Sequence, residues 1–436
     1  MTIKYFAYCV IALTLLSILG WSSVSVPQAT FINWLVSLLI LYYCFTKRKE
    51  GMRRFASWDN GLLNLYLLWL FFNVIRGAII ADNYWEYKNL IGSTITLLLP
   101  VTMYVFSDVG KLRQTLSIWF RYVIPLFFLV LMWMLIPAVY HYCLAPVFLF
   151  GIFIPIIPKK WRWVFIVILG LSTFIRLGAR SQVIKAVIAI LFAIAFYYRR
   201  YITTTLFKFG YSVAYILPVV LLYLGISGIF NIFADVSESE SGKYTTATVR
   251  NGEVEEEDLS SDTRSFIYIE VINSALDHNY VIWGRTPARG NDSEAFGTFT
   301  AEELHTGKYE RSKNEVCHPN VFTWLGLIGM VMYSLFYIRS SYLCLFHSRS
   351  QCMKFVGMFV AFHWAYGWVE DINQFDIANF AIWMSIAMGL SRQFREMTDK
   401  EFIAWVRSIF VRRKRVPAVK RSYPVPQPFS SSIIQK

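Results

Sequence analysis

Residues 116–157 read LSIWFRYVIPLFFLVLMWMLIPAVYHYCLAPVFLFGIFIPII, and Arg121 is the sole Asp, Glu, Lys or Arg among them. A membrane-crossing helix takes about 20 apolar residues. This run is long enough for two, and Pro137 marks the break between them. The rest of the chain repeats the pattern. Of its residues 56% are hydrophobic and 16% charged, whereas soluble domains carry about a quarter charged. Soluble cores also stop growing near this length. The 15 Trp and 26 Tyr suit a membrane–water interface.

Twelve crossings are expected, at roughly 4–21, 30–45, 60–80, 90–106, 116–136, 139–157, 161–176, 181–198, 211–233, 320–338, 353–369 and 376–391. The predicted fold class is all-α: a polytopic membrane protein with about 12 transmembrane helices and one large outward loop between helices 9 and 10. Residues 1–233 hold helices 1–9, 234–319 the loop, 320–391 helices 10–12, and 392–436 a basic inner tail. Lys4 before an apolar core, followed by Pro27-Gln28-Ala29, also fits a signal peptide. Helix parity favours an uncleaved first crossing. No repeat of fixed period is evident.

The positive-inside rule sets direction. With the N-terminus inside, short inner connections hold 16 Lys and Arg, including Lys47, Arg48, Lys49, Arg53 and Arg54, against three outward: Lys88, Arg176 and Arg180. Both termini are then cytoplasmic, and 234–319 faces out. Asp235 to Asp262 is acidic and reads as a solvated arm. Phe266, Ile267, Ile269, Val271, Ile272 and Leu276 predict an amphipathic helix, which turns at Trp283-Gly284-Arg285-Thr286-Pro287. Phe402, Ile403, Trp405, Val406, Ile409 and Phe410 predict another, before a basic tail suited to anionic lipid. The net charge of +14 sits in clusters between apolar runs, which argues against nucleic acid. Six Cys without paired spacing predict neither disulfides nor a metal site. No phosphate-binding Gly loop or nucleotide fingerprint is present, and no cofactor is expected.

Charges that break the inside rule are candidates for chemistry, because Arg beside a membrane segment is costly unless paired or functional. Arg176, Arg180 and Arg76 lie at outer helix ends, where capping by snorkelling is the competing explanation. Arg264 opens the amphipathic stretch, and Arg285 and Arg289 sit at its turn, where solvated surface charge competes. Guanidinium forks suit phosphate oxygens, so outward Arg from separate segments would suit a lipid-linked diphosphate. His318, in Cys317-His-Pro-Asn320, would take a proton from a sugar hydroxyl, and Asn320 would hold a hydroxyl or the imidazole. Helix capping is the alternative for both. Glu370 and Asp371, in the last outward turn, would orient a base, bind acceptor hydroxyls or pair with the outer Arg; plain solvation competes.

The assembled pattern resembles the O-antigen ligase and polymerase superfamily of bacterial inner-membrane glycosyltransferases. Matching features are about twelve crossings, inner termini and a late periplasmic loop. Matching residues are Arg180 before the eighth helix, Arg264 opening the loop helix, Gly284 after it, and His318 and Asn320 at the next membrane helix. Pro319 separates that His and Asn, which stand adjacent in much of the family. The resemblance implies a metal-independent, inverting transfer from an undecaprenyl-diphosphate-linked glycan. Arg180 and Arg264 would hold the diphosphate, and His318 would be the base or position the acceptor. Arg176, Arg285, Asn320, Arg76, Glu370 and Asp371 would bind substrate. The implied product is O-antigen, capsule or exopolysaccharide, with membrane lipids and a chain-length regulator as further partners. Transfer of finished glycan to the lipopolysaccharide core by a ligase is the alternative within the family. A lipid-linked oligosaccharide flippase is the alternative of another class; it predicts charges deep in several helices and symmetric halves, whereas Arg121 and Lys185 are among few buried basic candidates and the halves look unlike each other. A non-catalytic scaffold leaves the outward Arg and His unexplained.

Overall fold

A computed structural model describes residues 2–20, 29–134, 137–174, 180–226, 245–250, 253–258, 265–294 and 296–411. It is 79% helical. A helix occupies each of the twelve apolar segments: Ile3–Leu19, Ala29–Thr46, Ser57–Ile80, Tyr84–Leu97 extended by Met103–Phe106, Val109–Leu129, Pro137–Gly151, Lys159–Phe174, Arg180–Tyr197, Thr204–Ile226, Cys317–Phe346, Gln351–Tyr366 and Ile377–Leu390. Pro137 begins a helix rather than interrupting one, as its missing N–H allows. Among the described residues five helices are long and apolar enough to cross a membrane: Ala29–Thr46, Ser57–Ile80, the composite Tyr84–Phe106, Thr204–Leu224 and Cys317–Phe346. Shorter apolar helices accompany them.

Polarity is arranged for lipid. Leu65, Leu68, Phe71 and Ile79 point outward from Ser57–Ile80, whereas Asp59 and Asn73 of the same helix are buried. Thr204–Ile226 exposes Phe209, Ile216 and Tyr223, and its Tyr215 bonds inward to Ser341 (2.7 Å). Contiguous apolar surface of this extent would drive aggregation in water, whereas in a bilayer polar groups turn inward and satisfy one another. The chain is a multi-pass α-helical membrane protein.

Short connections make sequential helices antiparallel and give the bundle two ends. One end is clasped by ion pairs. Glu50 bonds Lys111 and Lys47 (2.9 Å to Lys47), and those hydrogen bonds, that of Lys111 foremost, hold its carboxyl down at about 2. Arg54 meets Asp108 (2.5 Å), and Arg339 meets the buried Asp59 (3.0 Å). The amphipathic helix Asp399–Phe410 closes this end. Thr398 and Glu401 form its capping box, and Phe402, Trp405, Val406 and Ile409 are buried at helical spacing. Trp405 Nε1 donates to Val109 O (3.0 Å), and Arg407 Nε to Ile156 O (2.9 Å).

The other end carries the long connection. Within the acidic arm Thr245–Arg250 pairs antiparallel with Glu253–Asp258, Arg250 opposite Glu253. Asn251-Gly252 between them lies outside the described residues, but that pair is the strongest short hairpin signal in sequence. Helix Ser265–Asp277 follows, burying Ile267, Val271, Ser274 and Ala275 on one side and exposing Ile269 and Leu276 on the other. Its inner face packs with Val316 and Phe322.

The turn after that helix docks into a break in Cys317–Phe346. Gly326 has φ +68° within this helix, so the regular ladder is interrupted there. Arg285 N–H bonds Thr323 O (2.7 Å), Leu327 N–H bonds Val281 O (2.9 Å), and Trp69 Nε1 donates to Leu325 O (2.9 Å). The break thus leaves these carbonyls paired.

Candidate functional site

His318 stands in the first turn of Cys317–Phe346. The N–H groups of Cys317 and His318 bond Gly367 O (3.2 and 3.3 Å), and Cys317 N–H also reaches Glu370 O (3.2 Å). The turn after Gln351–Tyr366 therefore caps the helix that bears the imidazole. His318 is 1% exposed. Its Nε2 lies 2.9 Å from Trp364 O, and a carbonyl only accepts, so Nε2 carries the proton. That tautomer leaves the lone pair on Nδ1, which is buried and has no hydrogen-bond partner among the described residues. The Trp368 ring covers the imidazole at 4.5 Å and the Trp364 ring lies at 5.3 Å. A methyl group on Gly367 would sit 3.0 Å from Nε2, so the missing side chain makes room for the ring.

Three separate chain segments meet at this turn. Tyr268, on the loop helix, donates its hydroxyl to Trp368 O, and its ring stacks on the Trp368 ring at 6.5 Å. Lys185, on Arg180–Tyr197, pairs with Glu370 at 3.6 Å. Asp371 pairs with Lys313 (2.9 Å) and accepts from Asn373 N (3.0 Å) and Gln374 Nε2 (3.0 Å). Beside Lys185 a cavity is lined by His141, His363 and Asp371; His363 Nδ1 bonds Phe359 O one turn back (2.9 Å).

Arg176 and Arg264 lie outside the described residues. Arg180 begins its helix, with its side chain outside them. The other candidates are held by the protein itself. Asn320 accepts from Asn314 N (2.7 Å) and donates to Asn314 O (2.8 Å), which pins the segment leading into the helix. Arg76 donates to Asn73 Oδ1 (2.8 Å) and to the carbonyls of Trp283 (3.1 Å) and Gly284 (3.3 Å). Arg285 bonds Asp292 (2.7 Å), Gly290 O (2.9 Å) and Glu310 (3.0 Å).

These contacts make the loop a charged latch. Burial would raise the Asp292 carboxyl, but hydrogen bonds and charge from Arg285 and His278 outweigh it and hold the group below its usual range. Lys308 spans Glu86 (2.5 Å) and Asp82 (3.1 Å), tying the loop to the turn after Ser57–Ile80. Burial opposes the Lys308 charge, yet these carboxylates raise its affinity for the proton.

The residues that sequence reasoning passed over are Tyr268, Trp364, Gly367 and Trp368. As aromatics at a helix end, the two tryptophans read as interface anchors. The Gly-Trp pair after an apolar helix was the available signal. No family model, curated protein or solved structure was found to match the chain.

Proposed function

We propose that the chain is a bacterial inner-membrane glycosyltransferase that polymerises undecaprenyl-diphosphate-linked oligosaccharide units, with twelve crossings, cytoplasmic termini and the loop at 234–319 in the periplasm. The observation that carries this reading is His318: a buried imidazole with Nε2–H fixed and Nδ1 without a partner among the described residues. A neutral imidazole with an open lone pair accepts a proton from a sugar hydroxyl as that oxygen attacks C1 of the donor. The diphosphate leaves from the opposite face, and the anomeric centre inverts.

Geometry along the long helix supports the placement. Residues 327–346 beyond the Gly326 break number 20, about 30 Å of helix, which matches the hydrocarbon thickness. His318, ahead of the break, then lies at the outer boundary, where a lipid-linked diphosphate presents its sugar. Arg180 opens the helix that bears Lys185, and Arg264 immediately precedes the helix that bears Tyr268. The helices that follow the two arginines in sequence are thus tied to the turn that covers His318. In this reading the two guanidinium groups take up the charge of the departing diphosphate, and Trp368 and Tyr268 shift to admit the acceptor.

The test is complementation of a strain lacking its surface-polysaccharide polymerase. Wild type restores a ladder of chain lengths, and His318→Ala, Arg180→Ala and Arg264→Ala leave single repeat units on the core. Full ladders from all three variants overturn the reading. Long chains retained on the lipid carrier indicate a ligase instead.

A further inference from the structure

A second cleft opens at the His318 end of the bundle, between the first two helices, Tyr84–Leu97 and the segments 312–313 and 374–376. Its volume is about 470 Å³, within the roughly 300–1,000 Å³ of small-molecule sites. Its lining is unusual for a helix bundle of this composition: Asn33, Trp34, Lys88, Asn89, Gln374 and Asp376 all face it. We propose that this cleft binds a pyranose unit of a saccharide, with the Asp376 carboxylate accepting from a sugar hydroxyl and Trp34 packing against the ring face.

Asp376 points to a ligand. It is 3% exposed. Oδ1 accepts from Asn379 N (2.9 Å) and Asn379 Nδ2 (3.0 Å), capping Ile377–Leu390. Oδ2 has no hydrogen-bond partner among the described residues. A buried carboxylate oxygen costs free energy until a donor reaches it, and a hydroxyl is a neutral donor that fits. The Asn89 amide offers a donor and an acceptor, and those of Asn33 and Gln374 keep capacity beyond their bonds to Ser37 and Asp371, which suits hydroxyls that both donate and accept. Of the two lysines on the lining, Lys313 is engaged by Asp371 and Lys88 lies over the Trp85 ring at 4.7 Å. The indole of Trp34 is half-buried, offering the apolar face on which the C–H side of a sugar ring packs.

The inference deepens the proposed function and rests on it for its biological sense, because an acceptor glycan needs a grip apart from the base. The test uses the full chain in lipid nanodiscs and saturation-transfer NMR with methyl glycosides of glucose, galactose, rhamnose and N-acetylglucosamine. At least one glycoside is expected to bind wild type. Asp376→Asn retains an effective helix cap yet puts an amide NH2 in place of the unpartnered Oδ2, and should weaken that binding at least five-fold. Trp34→Ala should do the same. Thermal melting checks that each variant is folded. Binding of no glycoside, or equal binding by wild type and both cleft variants, overturns the inference. Ladder formation in cells reports separately on the proposed function: full ladders from His318→Ala sink that reading whatever the glycosides do, and absent glycoside binding beside normal His318-dependent ladders sinks the cleft alone.

Discussion

Gly284 and Gly326 touch backbone to backbone: a methyl group on either would lie 2.5 Å from the amide nitrogen of the other, and both have positive φ, +76° and +68°. This contact seats the loop in the break of the long helix and so fixes where His318 stands relative to the membrane-crossing part. L side chains rarely adopt that backbone region, at a cost of about 1–3 kcal/mol, and the close approach adds a clash. Gly326→Ala and Gly284→Ala should each lower the apparent Tm in detergent by several degrees and raise proteolysis of the loop. Wild-type melting in both variants would contradict the contact.

The Lys185–Glu370 pair distinguishes structural from substrate-binding roles. Lys185→Glu or Glu370→Lys alone places like charges together in a partly buried site and should reduce folded yield. The double exchange should recover folding. If Lys185 only braces the turn over His318, the double variant also recovers glycan ladders. Recovered folding without ladders would show that this cation contacts substrate.

Both ends of the Asn320 amide are engaged by Asn314. Asn320→Asp loses the donor to Asn314 O and leaves a buried acceptor facing a carbonyl, at a cost of about 1–3 kcal/mol. The variant should melt earlier than wild type and exchange amide hydrogens faster in 312–320. A fall in activity with unchanged melting would return Asn320 to a binding role.

The pH response of the loop follows from Asp292. Its folded carboxyl titrates below the ordinary aspartate value, near 4, so the unfolded segment binds protons first as acid is added. Its contribution is complete above that ordinary value and is lost as pH falls through the lower folded value. Hydrogen exchange in 265–292 should be flat from pH 8 to 5, after correction for intrinsic rates, and accelerate below about 4. Asp292→Asn should show the faster exchange already at pH 7. Loosening near pH 6 would point to a different group.

Sequence alone placed the twelve helices because apolar run length is a local property. The break at Gly326 was not legible: Leu325-Gly-Leu-Ile-Gly329 fits a continuous helix, and only the distant turn at Gly284 makes the interruption favourable. His318 was legible as a residue but not as a tautomer, since Trp364 O, 46 residues away, decides which nitrogen holds the proton. Arg76 and Arg285 looked available because their partners, the Trp283 and Gly284 carbonyls in one case and Asp292 and Glu310 in the other, are brought to them by folding. The hairpin at 245–258 carried its signal in Asn251-Gly252, masked by the acidic composition around it.

The most direct measurement is chain extension by the purified protein in nanodiscs. The substrate is an undecaprenyl-diphosphate-linked repeat unit from the host, and products are resolved by mass. Wild type should yield dimers and longer chains with free undecaprenyl diphosphate released, and it should do so in EDTA. His318→Ala, folded by its melting curve, should yield none. Extension by His318→Ala at the wild-type rate, or no extension by wild type with the host repeat unit, would contradict the account.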